Sequence, residues 1–174
     1  MGIASNDLNQ PPVIRTLAPI IPAKGKTVCY SSAYSGLICG KLIFTDNEFT
    51  RYNPWMNGQA DYFFRVGVVG LKFPPLPLNF NSERREDYGA PVFVPVYDQC
   101  EEPRQMIAAH PVGLFLDYSL MPFVIPEFQG LGLRLNLIPF SFYYQPLGNI
   151  FPKEPNLRLL VSRQNLANSL AECD

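Results

Sequence analysis

Residues Gly130 to Tyr144 run Gly-Leu-Gly-Leu-Arg-Leu-Asn-Leu-Ile-Pro-Phe-Ser-Phe-Tyr-Tyr. Leu131, Leu133, Leu135 and Leu137 alternate with Gly132, Arg134 and Asn136. Successive side chains of a strand point to opposite faces, so the alternation gathers the leucines on one side. On a helix they would be spread around the circumference. The stretch predicts a strand with one buried face. Past Leu137 the phase changes, because Ile138, Phe140, Phe142 and Tyr144 fall on the positions of Arg134 and Asn136. A slip of one residue moves every side chain to the other face. Pro139 is therefore read as a bulge or sheet corner that restores the core phase. Were the strand straight, Phe140, Phe142 and Tyr144 would form an outward aromatic row, a contact surface for another subunit.

The rest of the chain punctuates itself the same way. Lys26–Tyr30, Leu37–Phe44, Asp61–Phe73, Pro91–Tyr97, Gly113–Tyr118 and Asn156–Arg163 are rich in aromatic and β-branched residues and are bounded by turn formers. Pro95 demotes Pro91–Tyr97 to an edge or bulged strand. Residues 45–60 read as a polar loop holding Trp55, either a plug for the core or an exposed contact anchor. Residues 79–90 hold Glu83, Arg84, Arg85, Glu86 and Asp87 and read as solvated surface. Glu101–Ala109 reads as a short helix, with acids and Pro103 in its first turn and Pro111 ending it. Residues 120–129, with Pro122 and Pro126, read as a connection.

This predicts an all-β chain: an antiparallel β-sandwich, a single jelly roll of about eight strands. An extended Pro-rich N-terminal arm over 1–25 precedes a sandwich domain over 26–163, and a short C-terminal helix or tail over 164–174 follows. The arm carries Pro11, Pro12, Pro19 and Pro22, which forbid a helix. Between them Val13, Ile14, Leu17, Ile20 and Ile21 are apolar teeth that a freely solvated tail would not choose. Such an arm is expected to clamp on its own domain or on a neighbour.

Composition narrows function mainly by exclusion. Fourteen basic and 15 acidic residues give a net charge of -1, against direct electrostatic binding of nucleic acid. Charged residues are only 17% of the 174, with 18 prolines, which fits either a large ordinary β core or an exterior partly covered by other proteins. No apolar run is long enough to span a bilayer. The first residues show no leader pattern, which predicts synthesis inside the cell and reduced thiols at Cys29, Cys39, Cys100 and Cys173.

Catalytic chemistry finds little purchase. One histidine and scattered cysteines do not make a metal site, and no cofactor fingerprint is present. Glu101 and Glu102 with Asp98 could serve as acid and base or ligate calcium, but adjacent residues on a helix do not face each other. Cys39, in Leu-Ile-Cys-Gly, could be a nucleophile with His110 as its base. Free cysteine is as readily a small buried hydrophobe. The expectation is a non-enzymatic structural subunit of a large assembly, partnered by copies of itself or by other shell proteins. By fold-level analogy its commonest home is a viral capsid, as a major, cement or vertex protein. The interface candidates are Val13, Ile14, Leu17, Ile20, Ile21, Trp55, Phe140, Phe142 and Tyr144. A β module binding an apolar small molecule or a glycan is the first alternative, and a Cys39–His110 hydrolase the second.

Overall fold

The computed structural model describes residues 14–52, 60–72, 87–119, 123–129, 132–138, 140–154 and 156. Along the chain come β1 (Arg15–Thr16), β2 (Thr27–Ser32), β3 (Gly36–Tyr52), β4 (Ala60–Leu71), β5 (Pro91–Tyr97), β6 (Met106–Ser119), β7 (Phe123–Gln129), β8 (Gly132–Ile138), β9 (Phe140–Pro146) and a one-turn helix α1 (Leu147–Ile150). The chain is all-β. One sheet has the order β1-β6-β5-β2-β3-β4-β9, and β6 also pairs with β9. That extra pairing closes β2, β3, β4, β9, β6 and β5 into an antiparallel ring. Closure removes the open edges that a sheet otherwise presents. The pairing therefore displays one sheet returning on itself, where the sequence led us to expect two sheets face to face.

The ring is filled. Val28 and Tyr30 of β2, Leu42 of β3, Val69 and Leu71 of β4, Val92 and Val94 of β5, Val112, Phe115 and Tyr118 of β6, and Phe142 and Tyr144 of β9 form a single buried cluster. Every ring strand contributes, so this cluster is the interior. Tyr30 lies 4.4 Å from Phe115 and 5.0 Å from Phe142 between ring centroids. Such aromatic pairs add about 0.5–1.5 kcal/mol each beyond the area they bury.

Several expectations are corrected by this arrangement. Residues 130–144 are two strands: β8 pairs with β7 in a separate ribbon, while β9 joins the ring. The break falls at position 139, where the phase changes. Residues 120–129, expected as a connection, supply β7. The helix expected over Glu101–Ala109 is exposed bends followed by the start of β6. Pairing with β5 outweighs the acidic first turn, and Pro111 sits inside β6 next to a register shift. The polar loop expected over 45–60 is mostly the ends of β3 and β4, a long hairpin whose register shifts three times. β5 is an interior strand, paired to β2 through Cys29↔Phe93 and Tyr30↔Val92 and to β6 on its other side. Pro95 is tolerated because the pairing with β2 has stopped before it. The strand expected from Asn156 to Arg163 and the terminal helix fall on residues outside those described, Asn156 apart.

Candidate interaction surface

The arm begins the surface, because its apolar residues divide between those that are packed and one that is not. Pro19 and Pro22 fix φ near −65° and keep the segment extended. β1 lies parallel to β6, with Arg15 opposite Ala108 and Thr16 opposite Ala109. Leu17 N donates to Ala109 O at 2.8 Å and Ile20 N to Pro111 O at 3.2 Å. The His110 Nδ1 is 2.9 Å from Ala18 O. Ile14 packs on an outer cluster of Cys29, Phe93 and Ala109, and Ile20 packs on the main core. Leu17 is half-buried. Ile21 is 93% exposed. Val13 and Trp55 lie outside the described residues.

The aromatic candidates on β9 are placed differently. Phe142 and Tyr144 are inside the ring and offer no side chain to another molecule. Phe140 is half-buried against the same core. Burial holds the Tyr118 and Tyr144 phenols well above the ordinary value of 10.0, so both are neutral at any physiological pH.

Sequence reasoning missed a polar junction at one end of the ring. Asp87, expected on a solvated loop, is fully buried. It accepts a hydrogen bond from the Tyr30 hydroxyl at 3.0 Å and others from the hydroxyls of Ser32 and Ser35. Three donors to one carboxylate satisfy a group whose burial would otherwise be costly. Gly89, at φ 79°, completes the turn, and its N–H reaches Phe115 O at 2.9 Å while Phe115 N reaches Ala90 O at 2.8 Å. The junction thereby ties the β2–β3 turn to β6 and holds Tyr88 out in solvent, with Tyr34 exposed on the facing turn. Ser31, Ser32, Ser35 and Gly36 have turn chemistry in the sequence, and Asp87 belongs to a charged run. The contact between them, 52 residues apart for Ser35 and Asp87, is not legible there.

Of the residues proposed for chemistry, Cys39 and His110 each have another partner. Cys39 is in a disulfide with Cys29, directly opposite it across β2–β3, so it offers no thiolate in this form. Cys100 is disulfide-bonded as well, which corrects the expectation of reduced thiols. Asp98 Oδ1 accepts the Gln105 N–H at 2.9 Å, and Glu102 pairs with Arg104 at 3.5 Å. Asp98 and Glu102 thus each have a local partner. Among the described residues no cluster of His, Cys, Asp or Glu could hold a metal, and no helix is long and apolar enough to cross a membrane.

No protein-family model matches the chain, and no curated protein matches it. The surface therefore has to be interpreted from its own geometry.

Proposed function

We propose that this chain is a non-enzymatic structural subunit of a large protein assembly, a capsid, cement or vertex protein of a viral shell. The observation that carries this proposal is Ile21, 93% exposed beside neighbours on the arm that are packed. Covering such a side chain is worth about 1.5–3 kcal/mol. The arm that holds it is extended and fixed, so the side chain is presented in one place. The low share of charged residues, 17%, points the same way. Two further features suit a shell. Disulfides persist on virion exteriors and in other oxidising settings, and Cys29–Cys39 is one. A sheet closed into a ring keeps its strands from pairing with those of crowded neighbours. In this role the partners are copies of the chain and other shell proteins. The protein is made inside the cell and carried in the particle.

The packed interior favours this role over the ligand-binding alternative. The aromatic side chains that would line a cavity pack against one another instead, tilted or edge to face. Light scattering of the purified full chain tests the proposal. Species above the 19.6 kDa of one chain are expected to accumulate with concentration. Ile21→Asp is expected to push them back towards the monomer. A monomer at every concentration, for the unaltered chain alone and with its partners, would overturn it.

A further inference from the structure

We propose that the arm over Ile14–Pro22 exchanges between two copies of this chain, each arm lying on the other copy's β6. The inference deepens the assembly role above and rests on it. The exchange is argued from how the arm is attached. Its root is fixed, because Gly25 N donates to Leu42 O at 2.8 Å and Leu42 N to Lys26 O at 2.9 Å. Its far part is held on β6 by the two-residue β1 pairing, by Leu17 and Ile20 N–H donation and by the packing of Ile14 and Ile20. Between root and far part lies Ile21-Pro22-Ala23, with Ile21 and Ala23 exposed and Pro22 buried.

Every contact on β6 is the same whichever copy supplies the arm. The difference between the closed and the exchanged form therefore lies in this hinge and in concentration. Pro22 stiffens the hinge, and Pro19 the segment before it, in an extended shape, which suits a reach across a gap. In a two-fold exchanged pair the two hinges pass each other. That brings the two Ile21 side chains, 93% exposed in the closed form, to one contact. The partner is thus a second copy of this chain, and the surface it fits is the β6 edge from Ala108 to Pro111.

The test uses full-length chains carrying single substitutions at positions that face each other across β1 and β6, Arg15→Cys and Ala108→Cys. Copies of each are made together in one cell. A disulfide-linked pair containing one of each variant is expected to dominate the covalent dimers, because only exchange brings the two positions together. Ile21→Asp is expected to weaken dimerisation by roughly tenfold or more. Ala108 is buried, so a second measurement avoids it. A photo-crosslinking residue at position 15 of 15N-labelled chains, mixed with unlabelled chains, is expected to mark residues 106–111 of the unlabelled partner. Labelling confined to its own chain in a sample that scatters as a dimer overturns exchange and leaves the assembly role standing on another surface. A sample that is monomeric throughout overturns both.

Discussion

Tyr144 shows how few residues decide whether the ring can close. It lies opposite Gly67 on β4 and opposite Phe115 on β6, so it joins the two strands that β9 bridges. A Cβ on Gly67 would overlap the Tyr144 ring. A Cβ on Gly113 would overlap both that ring and the Gln145 carbonyl oxygen. A side-chain ring can turn aside, whereas a main-chain carbonyl in a ladder cannot. Gly67→Ala is therefore expected to cost about 1–2 kcal/mol and Gly113→Ala about 3 kcal/mol or more, by the usual scale of overpacking. Gly148→Ala is the control, since nothing lies within 4 Å of its Cβ position and it sits in α1. It should be neutral or slightly stabilising. Urea unfolding midpoints decide the matter, and equal stability of the Gly67 and Gly113 variants with the parent would remove these glycines from the account of closure. In the sequence Gly67 and Gly70 suggest a bulge or a close approach by another backbone, whereas what lies against Gly67 is the Tyr144 ring. The sequence could not name that ring, because Tyr144 is 77 positions away in the chain. Asp87 is the same problem in polar form: five charged residues in a row look like surface until Tyr30, Ser32 and Ser35 are seen around the last of them.

At the scale of elements, strands whose β-branched residues keep one unbroken phase were legible and strands with bulges were not. β5 was bounded correctly because Val92, Val94 and Val96 keep one phase throughout. β6 hides its pattern, since Val112, Phe115 and Tyr118 all point inward at a spacing of three. The register shifts after Val92 on its partner β5 and between Phe115 and Asp117 supply the missing residues. A bulge places two residues against one and resets the phase, so a test for strict alternation stops at each one. The hairpin β2–β3 carries a different kind of reinforcement. Its disulfide spans 10 residues and joins strands that the ladder already holds. Loop closure of that size is worth about 2–3 kcal/mol through the unfolded chain. The double variant Cys29→Ala, Cys39→Ala should lose about that much in denaturant unfolding while keeping its far-ultraviolet dichroism. Cys29 also belongs to the outer cluster on which Ile14 packs. Amide exchange at Leu17 and Ile20 should therefore speed up in the same variant. Unchanged exchange there would separate the disulfide from the arm.

For the whole molecule, the ring's interior ties stability to alkaline pH. Tyr118 and Tyr144 are enclosed with Tyr30, Phe115 and Phe142, and burial raises both phenols above the value of 10.0 that they regain on unfolding. Below pH 10 the two phenols are protonated in the folded and the unfolded chain alike, and their contribution to stability is intact. Above it the unfolded chain releases protons that the folded chain keeps, so each step upward favours unfolding. A group held in this way changes the unfolding free energy by up to about 1.4 kcal/mol per pH unit. The two together should give a loss approaching twice that slope between pH 10 and pH 12. The loss should set in at pH 10 and not near neutrality. Tyr118→Phe and Tyr144→Phe each remove one titrating phenol and should each flatten the slope by about half, even where the substitution itself changes stability at pH 8. Urea titrations at half-unit steps from pH 8 to 12 provide the slopes, and phenolate absorbance during unfolding counts the protons released. A slope unaffected by either substitution would mean that the alkaline loss arises from other groups, and these two phenols would no longer account for it.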